Sequence, residues 1–455
     1  MKYLILNNLK LLFGLLSIAI ILHLFQAFEW IHIPHDALFL LRWSTVLLMC
    51  TYALFRKQLT TWIFVSMILG ICIGYDFPLL GKELNILSKI FIKMIKTIIA
   101  PLLFGTLVVG IAGHSNLRQV GRLGWKSLVY FEIVTTTALI IGLVAINYSK
   151  AGIGIPAFHS DEKLPEIAKA MGWKDIVLHT FPENFIKSIS EGQILQIVVF
   201  CILFAVSLLL IKGAKRKPIL DFADSLSHTM FSFTNLVMYF SPFAVGGALA
   251  YTVSNMGLGV LANLLQLLGT LYLGLLVLVF GVFLPLAWFS GVRIRRFLRY
   301  VSEPLSIAFG TASSEAALPI AMENMEKYGV SREVVSFVLP TGLSFNLDGT
   351  TLYLSMASIF VAQAAGIQLS IGQQITMMLT LMLTSKGVAG VARASLVILA
   401  GMASSFGLPD WPIAAILGID ALMDMARTAV NTLGNCLATV IVGKWENEVD
   451  ETRED

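Results

Sequence analysis

The chain has 455 residues, of which 57% are hydrophobic and only 13% charged, about half the charged share of an ordinary soluble domain. That composition excludes a soluble globular enzyme and places the chain among all-α polytopic membrane proteins. The net charge of +4 is too small to point to a nucleic-acid partner and follows from where the basic residues sit.

In chain order, apolar runs long enough to cross a bilayer fall near residues 4–28, 37–55, 59–76, 84–112, 127–148, 193–211, 224–252, 260–290, 334–362 and 413–442. Lys2 and Lys10 beside the first run suggest a signal peptide, but no small-residue cleavage site follows, so the run reads as a retained helix. Arg56 and Lys57, then His114, Arg118, Arg122 and Lys126, then Lys212, Lys215, Arg216 and Lys217, then Arg293, Arg295, Arg296 and Arg299 all fall on one side if the N-terminus is cytoplasmic. The opposite loops, including the polar stretch Lys150 to Gln193, are poor in Lys and Arg for their length. The expected location is the inner (plasma) membrane. Cys50, Cys72, Cys201 and Cys436 stand singly in apolar segments and read as packing residues. No HExxH, GxSxG or Walker A pattern occurs, so hydrolysis and ATP-driven pumping lack their parts and no cofactor is expected.

Two regions do not read as simple spans. From Phe297 to Tyr328 an apolar run is interrupted by Gly310-Thr-Ala-Ser-Ser-Glu315 and by Pro319, with basic residues before and after it on one side. From Ile371 to Phe406, two arms too short to span meet at Thr384-Ser-Lys-Gly-Val-Ala-Gly390. Both predict re-entrant hairpins, since non-helical backbone at membrane depth survives only inside protein or along a wet cavity. Helix ends there can present N–H groups to an anion near the midplane. Glu315 and Arg393 are further charges near the hairpin tips.

Between the hairpins, Pro340 to Thr351 brings Gly342, Asn346, Asp348, Gly349 and Thr350 into an apolar run. These residues predict a broken helix whose carbonyls and carboxylate are oxygen ligands for a small hard cation; a kink with satisfied polar groups is the alternative. In the last run, Asp420, Asp424, Arg427, Asn431 and Asn435 fall at about 0°, 40°, 340°, 20° and 60° around a helix, one polar stripe. Such a stripe marks a site by default, an internal Asp424–Arg427 ion pair being the plainer reading.

These segments carry a resemblance. Ala312 to Pro319, Asn346 to Thr350, Ser385 to Val391 and Asp420 to Asn431 resemble the four signature regions of the dicarboxylate/amino acid:cation symporter family, the glutamate transporters, over about Lys57 to Lys444. The resemblance implies eight core transmembrane helices and two hairpins, a homotrimer, and an elevator-like transport domain. It divides the chain into extra N-terminal helices (1–56), mainly scaffold helices with the third core helix in the transport domain (57–292), a transport core (293–444) and a cytoplasmic tail (445–455). It implies that Arg427 holds a side-chain carboxylate and Asp424 an α-ammonium. Thr350, Thr428 and Asn431 add polar contacts, and the backbone around Ser313, Ser314, Val388, Ala389 and Gly390 takes the α-carboxylate. Gly342, Asn346, Asp348, Ser385, Asn431 and Asn435 fall at the cation sites, with Asn346 and Asp348 as sodium ligands.

The sequence departs from the sodium-coupled pattern at Asn435, where sodium-dependent members carry a carboxylate. Glu132, in Tyr130-Phe-Glu-Ile-Val-Thr-Thr136, matches the proton-coupled bacterial members; it reads either as a proton carrier or as a hydrogen-bonded structural acid. The expected function is uptake of L-glutamate or L-aspartate with H+ rather than Na+. A C4-dicarboxylate carrier and a substrate-gated anion channel or sensor are the alternatives, and the partners are the small substrate and membrane lipid.

Overall fold

The computed structural model describes residues 34–112, 117–155, 181–191, 193–211, 213–384 and 394–450. Among them the elements are helices, with one isolated antiparallel bridge between Val330 and Val449. The first expected helix, the hairpin tip 385–393 and most of the polar stretch 156–180 lie outside these residues.

Packing divides the chain into two units. The first holds residues through Ile92 and 236–261, and the second holds Lys93–Asn235 and Ala262–Asp455. In the first, α1 (His35–Arg56), α2 (Leu59–Asp76), α3 (Pro78–Glu83) and the start of α4 (Asn85–Ala112) precede α9 (Ser241–Met256). Pro34 opens α1 and Lys57, in the left-handed region, closes it. Met49 and Ala53 of α1 bury against Val65 of α2. Gly70 lets α2 approach α9 closely: a β-carbon there would stand 2.2 Å from the Gly246 carbonyl oxygen.

The second unit continues α4 and adds α5 (Leu117–Ser149), α6 (Phe185–Ser190), α7 (Ile194–Leu210) and most of α8 (Lys217–Met238). From Ala262 on it also holds α10 (Gly259–Leu278), followed by a π turn at Val279–Phe283 and α11 (Leu284–Phe289). The π turn ends two residues before Pro285, which cannot donate a helical hydrogen bond. Next come α12 (Ile294–Thr311) and α13 (Ser314–Tyr328), the first hairpin, then α14 (Arg332–Phe345) and α15 (Asp348–Ala364). The chain closes with α16 (Ile371–Thr384), α17 (Ala394–Ser405), α18 (Trp411–Leu417) and α19 (Asp420–Trp445). α19 packs against α12, α13, α14 and α15, and α15 lies along α5. Five described helices are long and apolar enough to cross a membrane, or six with α8 and α9 counted as one span.

The elements correct the sequence expectations in three places. The run 224–252 is not one helix: α8 ends at Met238 and α9 begins at Ser241, with Pro242 in its first turn. The run 413–442 is interrupted at Gly418 and Ile419, so Asp420 opens α19, where a carboxylate favourably meets the positive helix end. Pro319 does not interrupt the first hairpin. It lies in the second turn of α13, which runs on to Tyr328 because an early proline forfeits a single backbone bond near an already open helix end. The break falls at Ala312 (φ 51°) and Ser313, inside the expected tract Gly310 to Glu315, and that of the other broken helix at Asn346 and Leu347.

Candidate functional site

The polar stripe of α19 is buried along its whole length. Asp420, Asp424, Arg427, Asn431 and Asn435 are all under 5% exposed, and Arg427 is 1% exposed. Arg427 Nε donates to Asp424 Oδ1 at 2.9 Å, Nη2 lies 2.8 Å from the same oxygen, and Nη1 donates to Asp420 Oδ1 at 3.3 Å. The guanidinium stands 4.2 Å from the ring centroid of Tyr353 on α15, which holds the fork flat. Thr428 Oγ1 donates to Asp424 Oδ1 at 3.4 Å.

One turn further along, α19 meets the break between α14 and α15. No side chain of the preceding residue caps α15. Asn431 supplies the cap from another helix: its Oδ1 accepts from Gly349 N at 2.8 Å and from Thr350 N at 3.2 Å, and its Nδ2 donates to Thr350 Oγ1 at 2.9 Å. Asn346 Nδ2 donates to Asn435 Oδ1 at 2.9 Å, and Thr135 Oγ1 of α5 donates to Asp348 Oδ1 at 3.3 Å. Asn346 Oδ1 and Asn435 Nδ2 are buried with no hydrogen-bond partner among the described residues. Gly434 makes room for this cluster, since a β-carbon there would stand 2.6 Å from Asp348 Oδ2; the Asn435 amide lies directly over Gly342. Asn346, Asp348 and Thr135 therefore bring together amide, carboxylate and hydroxyl oxygens, the donor set of a small hard cation.

The first hairpin reaches the same helix. Ser313 caps α13 by accepting from Ala316 N at 3.3 Å, and buried Ser314 accepts a hydrogen bond from Thr432 Oγ1 of α19 at 3.4 Å. Glu132 lies half-buried on α5, one turn before Thr135, and Glu315 is exposed in the first turn of α13. Ser385, Val388, Ala389, Gly390 and Arg393 lie outside the described residues.

The structure thus joins Thr350, Asn431, Asp424, Arg427 and Thr428, and beside them Asn346, Asp348 and Asn435. Three partners were missed in the sequence. Tyr353 was legible as the residue three after Thr350, hence on the same helical face. Thr135 stands in the Tyr130–Thr136 run but had no visible tie to Asp348. Thr432 looked like an ordinary helix residue.

Residues 59–445 match the sequence profile of the sodium:dicarboxylate symporter family. The chain belongs to that family. It is 40% identical over 405 residues, 87% of this chain and 96% of the relative, to the C4-dicarboxylate transport protein of Bacillus subtilis (strain 168). It is 42% identical over 401 residues, 85% and 92% of the two chains, to the proton/sodium-glutamate symport protein of the same strain. A C4-dicarboxylate transport protein of Geobacter sp. (strain M21) is 42% identical over 409 residues, 88% of this chain and 92% of the relative. Membership makes the chain a multi-pass inner-membrane transporter, not an enzyme. The matched region begins at α2, so α1 lies outside the family pattern.

Proposed function

We propose that the chain is a symporter that carries acidic amino acids, L-glutamate or L-aspartate, into the cell with protons rather than sodium. The charge inventory carries this reading. Among the described residues, the buried charged side chains of the site are Asp348, Asp420, Asp424 and Arg427, three carboxylates to one guanidinium and a formal −2. A buried excess of negative charge calls for cations or protons. Bound glutamate or aspartate, with one ammonium and two carboxylates, adds a net −1 to this excess, so the ammonium at Asp424 offsets one buried carboxylate and the coupling cations, one of them at Asp348, supply the rest. Arg427 takes the side-chain carboxylate as a bidentate fork. The α-carboxylate falls to the backbone at Ser313 and Ser314 and, by the family pattern, at Val388, Ala389 and Gly390, with Thr350, Thr428 and Asn431 as further polar contacts.

Proton coupling is supported by Asn435, which contributes an amide where a carboxylate would add charge to the cation cluster, and by Glu132 one turn from Thr135. Asn346, Asp348, Gly342, Ser385 and Asn435 are the groups that would hold sodium if it is the coupling ion. The family pattern supports a homotrimer in which the 293–444 core moves as an elevator.

A second reading, a C4-dicarboxylate symporter, is favoured by the names of two of the relatives and by the Asp424–Arg427 contact, which leaves Asp424 engaged without an ammonium. Proteoliposomes decide between them. Under an inward proton gradient or an inward sodium gradient, each alone, we expect accumulation of labelled aspartate or glutamate with protons, weak competition by succinate, and a shift toward succinate in Asp424→Ser by a factor of about 10 to 100, the worth of one buried charge contact. Accumulation with sodium alone would overturn the coupling assignment, and succinate outcompeting aspartate would overturn the substrate. Ligand-gated current without counterflow would mark a channel.

A further inference from the structure

Two helices of the second unit end in the same way. α13 closes at Gly329 (φ 115°), where Val330 N donates to Met325 O and Gly329 N to Glu326 O, both at 3.1 Å. α19 closes through Asn447 (φ 59°), where Glu448 N donates to Gly443 O at 2.8 Å and Asn447 N to Lys444 O at 3.1 Å. Both are left-handed caps of the Schellman kind, which turn the outgoing chain back over the helix end.

The two outgoing segments then pair with each other. Val330 and Val449 face across an antiparallel bridge, flanked by Ser331 N donating to Glu448 O at 2.9 Å and Asp450 N donating to Gly329 O at 2.8 Å. The fit is tight, since a β-carbon on Gly443 would stand 2.9 Å from Val449 Cγ2. One lysine from α5 and one from α19 itself secure the same end. Lys126 of α5 donates to Trp445 O at 2.7 Å and pairs at 2.6 Å with Glu446, whose side chain is 2% exposed; Lys444 donates to Gly291 O at 2.7 Å. A lysine at the negative end of a helix is electrostatically favourable, and the Tyr130 ring meets the edge of Trp445 at 6.4 Å.

Residues 329–331 form the link between the returning arm of the first hairpin and α14, the natural hinge about which that hairpin would swing. Hinge motion needs freely rotating peptide groups, and here the Gly329 carbonyl and the Ser331 N–H are both taken by the tail. At its other end α13 is held by the Thr432–Ser314 contact. We propose that residues 446–450 are a strap that locks the base of the first hairpin to α19, so that hairpin and last helix move as one body. Access to the site through this side then requires the strap to release. The inference does not depend on which substrate the site takes.

The test compares three forms of the full transporter in lipid nanodiscs by hydrogen exchange. Asp450→Pro removes the N–H that bonds Gly329, and truncation after Asn447 removes the bridge; truncation after Asp450 leaves it. The shorter chain, which loses both backbone bonds, is expected to raise exchange across 314–345 by about tenfold or more, and Asp450→Pro, which loses one, by about threefold or more, with 59–76 unchanged, and both are expected to increase substrate leak from loaded vesicles. The longer chain is expected to match the intact protein. Faster exchange confined to 329–331, with α13 unchanged, would overturn the strap. Because exchange is read without substrate, failure here is separate from failure of the uptake assignment.

Discussion

Each unit sets an arginine against aspartate beside an aromatic ring, Arg42 half-buried and Arg427 fully buried, yet the clusters differ in stoichiometry. In the first unit Arg42 meets Asp76 through Nη2 to Oδ1 at 2.5 Å and Nε to Oδ2 at 3.3 Å, Trp43 Nε1 donates to Asp76 Oδ2 at 3.0 Å, and the guanidinium lies 5.0 Å from the Tyr75 ring. That set is one cation to one anion with both carboxylate oxygens engaged, a pair complete in itself. Arg427 instead faces two aspartates, with a third carboxylate, Asp348, in the neighbouring cluster. A balanced pair joins helices; an unbalanced one is a standing request for a cationic ligand.

The largest effect should separate these two arginines. Arg427→Ala is expected to cut uptake efficiency by about 100-fold or more, as for truncation of a buried hydrogen-bonded charge. Arg42→Ala should lower the thermal midpoint and leave KM within about twofold, since it breaks a charge-balanced pair that belongs to the other unit. Equal losses of KM in both would erase the contrast.

The charge excess is tested next. Asp348→Asn should make uptake insensitive to the driving gradient, while Asn435→Asp, which adds a carboxylate beside Asn346, should strengthen sodium dependence by about tenfold, the effect of one added charge-assisted contact. Sodium titration of initial rates reads both. No response from Asn435→Asp would mean that the amide pair is not part of the cation cluster.

Smaller effects sharpen the role of the ring. Tyr353→Leu should weaken substrate affinity by about 2- to 30-fold, the range of a cation–π contact, and Tyr353→Phe should leave it nearly unchanged. The smallest change belongs to Lys96→Ala. The Lys96–Asp410 pair at 2.7 Å is partly exposed on both sides and should contribute under about 1 kcal/mol by thermal denaturation.

Much of this was legible before any coordinates. The α19 stripe was readable because charged residues in an apolar run are costly and their angular spacing follows from helix geometry alone. The first hairpin was readable from its polar tract and the basic residues flanking it on one side, and the two arms of the second from apolar runs too short to span. The break at Gly418 was not, because Trp411 to Ile419 is as apolar as the helix that follows and hydropathy cannot see a change of backbone direction. Nor was Pro319 readable as a helix interior, since a proline's effect depends on which turn it occupies. Arg42 went unremarked because a single charge near the end of an apolar run is an ordinary feature of membrane helices.

The sequence by itself determined the class, the apolar helical segments and the residue types of the candidate site, because these rest on local quantities: length, polarity and period. Only the tertiary structure decided what those residues do to one another. Asn431 became the cap of a helix it does not belong to, Tyr353 the plate beneath Arg427, Thr135 the partner of Asp348, and Val449 the mate of Val330. Each of these contacts joins segments far apart in the chain, and a sequence records no distance between them.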